Sequence, residues 1–147
     1  MKDSLTYDVE IEWREGMKGI LKTKRGQKLI MDAPTEFGGK GDGFCPDELF
    51  AASLGGCALT TFFFLAQKMK IPVQILNISS SIKLGLIRGV YRIHKAIINM
   101  SVETETQYHK KVHRIFDLIK SSCNISGSID NCIEIEYNIE LKSNLSF

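Results

Sequence analysis

LFAASLGGCALTTFFFLA, Leu49 to Ala66, decides the fold of this chain: 18 consecutive residues without a charge in a protein whose charges are otherwise interspersed. A stretch this long reads as a helix. CPDE leads into it. Pro46 suits the first helical position, and Asp47 and Glu48 suit the positive end of the helix dipole. Pro72 puts the helix end near Met69 or Lys70. The length touches that of a membrane span. Ser53, Gly55, Gly56, Thr60 and Thr61 lie inside it, however, and a helix apolar on every side also fits the core of a globular or oligomeric protein. No membrane association is expected.

Upstream, Tyr7, Val9, Ile11 and Trp13 alternate with Asp8, Glu10 and Glu12, the pattern of a half-buried strand. Gly19 to Thr23 and Gln27 to Met31 read as two more strands, completing an antiparallel meander. DAPTEFGGKGDGFC, Asp32 to Cys45, is a loop holding four of the chain's twelve glycines. Downstream, Val73 to Leu84 and Val90 to Glu103 form a long hairpin about a Gly85 to Gly89 turn. Thr106 to Cys123 is a second helix. Its apolar stripe is Tyr108, Val112, Ile115, Phe116 and Ile119, and Cys123 falls one turn further on. Asn124 to Gly127 breaks that helix. Ile133 to Leu141 alternates as a last strand. The order β-β-β, α, β-β, α, β is α+β in a single domain, 1–147, with a curved antiparallel sheet on two main helices. One such sheet cannot cover all sides of the long apolar helix, so a second copy of the chain is expected against it.

Net charge is +2, and no Lys/Arg run is long enough to follow a phosphate backbone. The densest patch, RGVYRIHK with Arg88, Arg92 and Lys95, reads as the outward face of a strand, so nucleic acid is not an expected partner. MKDSLTYDVEIEW has no apolar segment of the signal-peptide kind. The four cysteines, Cys45, Cys57, Cys123 and Cys132, form no C-x-x-C pair. They point to reduced thiols in a cytoplasmic protein, with neither a disulfide framework nor a structural zinc site. His109 and His113 stand i, i+4 in HKKVH, but the lysines between them mark a wet face, and no metal or cofactor is expected.

CPDELFAASLGGC, followed 66 positions after Cys57 by Cys123 in SSCNISGSI, resembles the OsmC/Ohr family of thiol peroxidases. That family shows a proline, acids, an apolar run rich in small residues and a cysteine inside a helix. Its second cysteine ends the other helix, often as C-P-V-S-x-S-L. IEWREGMKGILKTKRGQKLIMDAP resembles the family's N-terminal meander. The resemblance implies an intertwined homodimer with a site at each interface. It implies Cys57 as the peroxidatic thiol and Cys123 as the resolving one. It implies Arg14 as the arginine, and Asp47 or Glu48 as the acid, that hold the thiolate in Ohr-type members. Three departures stand out: Asp47 is shorter than the Ohr glutamate, Cys45 replaces an Asn or Ser helix cap, and Asn124 replaces the proline. The chain is closer to the general OsmC-like group than to a strict Ohr protein.

A thiol must ionise to attack a peroxide oxygen, and burial opposes that. A guanidinium nearby offsets the cost and orients the peroxide. The sulfenic acid product then condenses with a neighbouring thiol. Asp47 and Glu48 lie ten and nine residues before Cys57, about 14 to 15 Å along the axis. They can help the thiol only from the partner of an antiparallel pair. The same two acids equally serve as helix N-terminus stabilisers, and Arg14 equally serves as a strand-end surface charge. The expected function is reduction of organic hydroperoxides, with a thiol reductant of unknown identity. The alternative is a non-enzymatic OsmC-like dimer binding a small apolar or thiol-reactive ligand.

Overall fold

A computed structural model of the chain describes residues 4–143; Met1 to Asp3, part of the segment read for a signal peptide, lie outside them. Six strands and three helices are present among the described residues: β1 (Val9–Glu15), β2 (Lys18–Thr23), β3 (Lys28–Met31), α1 (Pro46–Lys68), β4 (Ile75–Ile87), β5 (Val90–Thr104), α2 (His109–Ser122), α3 (Asn124–Ile129) and β6 (Glu134–Ser143). They fall into two compact units, Met1–Leu49 and Phe50–Phe147, divided inside α1.

The first unit is the antiparallel meander β1-β2-β3. Its strand periodicity is as expected, but the stripe read as half-buried is open in the single chain: Val9, Ile11 and Trp13 are all more than half exposed. After β3 the chain closes a loop around Asp32. The carboxylate of this buried residue accepts from the backbone amides of Ala33 at 2.9 Å, Lys40 at 3.0 Å and Asp42 at 3.3 Å. Gly39 is obligatory in that loop, because a Cβ there would lie 1.8 Å from the Ala33 carbonyl oxygen.

The second unit carries the core. Leu54, Ala58, Phe62 and Ala66 of α1 meet Ala96, Ile98, Met100 and Val102 of β5 and Val112, Ile115, Phe116 and Ile119 of α2, all buried. α1 is long and apolar enough to span a bilayer by length and composition, yet this face of it is packed on a sheet. The helix ends as its local chemistry dictates. Lys70 takes φ +53°, and the Ile71 amide donates back to the Ala66 carbonyl at 2.9 Å, a Schellman-type closure ahead of Pro72. β4 and β5 form the expected hairpin, but the strands run further than the sequence indicates. Ile87 pairs with Val90 around Arg88 (φ +51°) and Gly89 (φ +79°), the two left-handed residues of a tight hairpin turn.

One feature corrects the expected all-antiparallel sheet. β6 pairs with β5 in parallel, Lys95 opposite Glu134 through Thr104 opposite Ser143. The physical reason is the connection: α2 and α3 carry the chain back across the sheet, a crossover that delivers the next strand parallel. Asn124 to Gly127, read as a break, is helical; the break is the single residue Cys123, extended at φ −74°, ψ 112° between α2 and α3.

Candidate functional site

Cys57 sits on the buried face of α1 and Cys123 at the α2–α3 joint, and both are free thiols within the second unit. Cys57 is 8% exposed and Cys123 1%. The joint fixes Cys123 from both sides: its amide donates to the Ile119 carbonyl at 3.0 Å, and its own carbonyl accepts from the Gly127 amide at 2.9 Å. The two thiols, 66 positions apart in the chain, lie close enough for Cys123 to act on the Cys57 thiol.

The Cys57 thiol is pushed above its ordinary range. Burial is the main cause, and the hydrogen bond and charge of Cys123 add to it. The Ile125 backbone amide and the Thr61 hydroxyl act the other way, favouring the thiolate. Asn124 makes a direct polar contact: Cys57 Sγ–H donates to Asn124 Oδ1 at 3.0 Å. Behind the pair, the Tyr137 hydroxyl donates to the buried Ser126 Oγ at 2.9 Å. Burial pushes the Tyr137 phenol up, and both thiols push it further in the same direction. A shallow cavity of about 400 Å³ lies beside the site, lined by Thr60, Thr61, Phe64, Leu65 and Ser122. Of the three consecutive phenylalanines of α1, Phe62 is buried, while Phe63 and Phe64 are 40% and 55% exposed, and Lys68 Nζ stands 4.2 Å above the Phe64 ring.

Arg14, Asp47 and Glu48 belong to the first unit. Arg14 Nη1 pairs with Glu12 Oε1 at 2.8 Å. Glu48 closes a capping box: its carboxylate accepts from the Cys45 amide at 2.9 Å, while its amide donates to Cys45 Sγ at 3.4 Å. Cys45 therefore acts as the helix cap, with sulfur in the place of a cap oxygen. Asp47 is exposed in the first turn of α1. Cys132 is exposed near the start of β6. His109 faces Ser143, and His113 rests edge-on against Phe116. Asn124, Thr61 and the Ser126–Tyr137 pair carry the polar surroundings of Cys57 and Cys123, and no motif in the sequence points to them as such. The one available signal is a polar amide directly after Cys123.

A buried cysteine in mid-helix, facing a second cysteine at a helix joint over a mixed sheet, defines a class of α+β proteins with a paired-thiol core. The model of the OsmC-like protein family matches residues 39–138, and this chain belongs to that family. The uncharacterized protein YmaD of Bacillus subtilis (strain 168) is 24% identical over 113 residues, covering 74% of this chain and 75% of YmaD. The organic hydroperoxide resistance protein OsmC of Legionella pneumophila superposes with a TM-score of 0.76 at 20% identity, over 95% of this chain and 99% of that one. An organic hydroperoxide resistance protein of Elizabethkingia anophelis gives 0.73 at 19% identity, over 98% and 100%. At these identities the two structures share the fold with this chain.

Proposed function

We propose that the protein is a thiol peroxidase that reduces organic hydroperoxides through Cys57 and Cys123. The observation that carries this reading is a pair of free, buried thiols from separate elements, near enough for Cys123 to act on Cys57. The Cys57 thiolate attacks the terminal peroxide oxygen; the O–O bond breaks, the alkoxide leaves and takes up a proton as the alcohol, and Cys57 becomes a sulfenic acid. Cys123, deprotonated, attacks that sulfur; hydroxide leaves as water and a disulfide forms. A thiol reductant then returns both cysteines to the reduced state, oxidised in turn to its own disulfide. The apolar walls supplied by Phe64 and Leu65 suit an organic substituent better than bare hydrogen peroxide. Two organic hydroperoxide resistance proteins of the same fold support the substrate class.

The working unit in this proposal is a homodimer in a reducing, cytoplasmic setting, with no membrane and no nucleic acid involved. Leu59, Phe63 and Phe64 of α1 and Val9, Ile11 and Trp13 of β1 are apolar surface that water penalises, and a second copy would cover it. Arg14, with Asp47 or Glu48 of the partner chain, would activate the thiolate. One observation favours the alternative of a non-catalytic binding protein: burial and Cys123 both hold Cys57 in the thiol form.

The test is titration of the reduced protein with one equivalent of cumene hydroperoxide, followed by peptide mapping. A Cys57–Cys123 disulfide is expected. Modification of Cys45 or Cys132 with Cys57 left reduced would overturn the assignment. Light scattering reports the assembly, and a folded monomer at micromolar concentration would remove the dimer.

A further inference from the structure

Cys57 meets a carboxamide where the related motif C-P-V-S would place a proline, which has neither a side-chain donor nor a side-chain acceptor. The Asn124 backbone is anchored, its carbonyl accepting from Ser128 Oγ at 2.6 Å. Its side chain reaches from the α2–α3 joint to the sulfur, with Oδ1 at 3.0 Å from Sγ. In that orientation a carbonyl oxygen accepts from S–H and favours the protonated thiol. The carboxamide has a second face. Half a turn about its terminal torsion, which is broad and nearly two-fold, brings Nδ2–H to the place of Oδ1. The same side chain then donates to a thiolate. Asn124 is exposed, which leaves room for this rotation in the single chain.

We infer that Asn124 is a catalytic residue whose carboxamide reverses with the state of Cys57, accepting from the thiol through Oδ1 and donating to the thiolate through Nδ2. The inference rests on the reading of Cys57 as the reacting thiol. The other groups around the sulfur are Thr61 on α1, the Ile125 amide on α3, and two titratable neighbours, Cys123 at the joint and Tyr137 on β6. None of these is a cation. A turned carboxamide adds one more donor to those of Thr61 and Ile125, and in its other orientation it serves the thiol.

The experiment titrates Cys57 directly, by the ultraviolet absorbance of its thiolate taken as the difference from Cys57→Ser, in the reduced full-length protein. Asn124→Leu keeps the branched shape and removes both hydrogen-bonding ends. Loss of the donor raises the Cys57 pKa, so the thiolate fraction at mildly alkaline pH falls, by about tenfold if the titration midpoint moves up by one pH unit. Asn124→Asp, which only accepts when ionised, raises it further. Asn124→Ser, whose hydroxyl can do both, stays nearer the wild type. Each variant is first checked by thermal melting. An unchanged or lowered pKa in a folded Asn124→Leu shows that the residue is an acceptor only and overturns the inference; if Asn124→Leu does not fold, the order Asp above Ser above wild type decides in its place. Peroxide consumption is measured separately. The expected pKa order in a protein that consumes no peroxide keeps the carboxamide reversal and removes the peroxidase, and the opposite pair of results does the reverse.

Discussion

Ser80 lies directly beneath Gly55: a Cβ built on the glycine would stand 2.6 Å from Ser80 Oγ, and that hydroxyl already donates to the Ala51 carbonyl at 2.6 Å. The glycine thus marks a close approach between α1 and β4. Gly55→Ala gains about 1 kcal/mol of helix propensity but forces Ser80 to turn away and leaves the strand to shift. Overpacking of this kind costs about 1–3 kcal/mol, so net destabilisation is expected in urea unfolding. Gly127→Ala in α3, with nothing within 4 Å of the new methyl, is the control and should be neutral or stabilising. Equal stability of Gly55→Ala and wild type would mean that the α1–β4 contact yields freely.

The Cys45–Glu48 capping box gives a prediction that separates stability from chemistry. Sulfur is a weak acceptor, so Cys45→Ser should strengthen the cap. A gain of about 0.5–1 kcal/mol is expected, read as a higher Tm. Glu48→Ala removes the reciprocal bond and should cost about 1 kcal/mol. Peroxide consumption by Cys45→Ser should match the wild type, because the residue's role is at the helix start. Loss of activity in Cys45→Ser would place a third thiol in the reaction.

Asp32 sets a pH dependence. Burial pushes its carboxyl up, but the amides of Asp42, Lys40 and Ala33 together outweigh this and hold it below the usual aspartate range. A carboxyl depressed in the folded state contributes stability above its unfolded pKa and loses it as pH falls through the folded value. Asp32→Asn should therefore lower Tm at neutral pH and lower it much less in strong acid. A Tm difference independent of pH would show that the loop is held by its backbone alone.

Much of this architecture is legible in the sequence because its signals are local. Alternation marks the strands, the uncharged run marks α1, and the stripe ending in Ile119 marks α2. Strand direction is not carried by alternation, which is why β6 reads as antiparallel until its crossover is seen. The exposure of Val9, Ile11 and Trp13 is also hidden, since a period of two names an apolar face without naming what lies on it. At the site, Cys57 and Cys123 are legible as a pair only through a resemblance spanning the chain. The contact of Asn124 with Cys57 depends on one residue, Cys123, being extended between two helices, and no propensity scale resolves a one-residue hinge.

Arg14 tests the proposed activation across units. Its guanidinium is already shared with Glu12, so its effect on a thiol must compete with that pair. If it serves Cys57, Arg14→Ala should raise the thiol pKa and slow peroxide reduction at neutral pH, by about tenfold if the pKa rises by one. The rate should recover at higher pH, where the thiolate forms unaided. Arg14→Lys should rescue poorly, for lack of the planar fork. A wild-type pH–rate profile in Arg14→Ala would make this residue a surface charge.

Cys123 has two effects on Cys57 that point in opposite directions, and a single variant separates them. As a neighbour, it raises the Cys57 pKa through its hydrogen bond and its charge. In Cys123→Ser the charge is gone and the hydrogen bond is altered, so the Cys57 pKa should fall toward its ordinary value. The thiolate fraction at neutral pH should grow with it, by about tenfold if the pKa falls by one. The first step, measured in a single turnover with limiting cumene hydroperoxide, should be as fast as in the wild type or faster. In the wild type, that step should keep accelerating as pH rises past the ordinary thiol range. As the resolving thiol, Cys123 is also what removes the sulfenic acid. Without it, the acid should persist, react with a dimedone-type trap and proceed to the sulfinic acid under excess peroxide. Multiple turnover should then collapse while the first turnover is preserved. A slower first step with no trapped sulfenic acid would show instead that Cys123 is the thiol attacking peroxide, and that the order of the two cysteines is reversed.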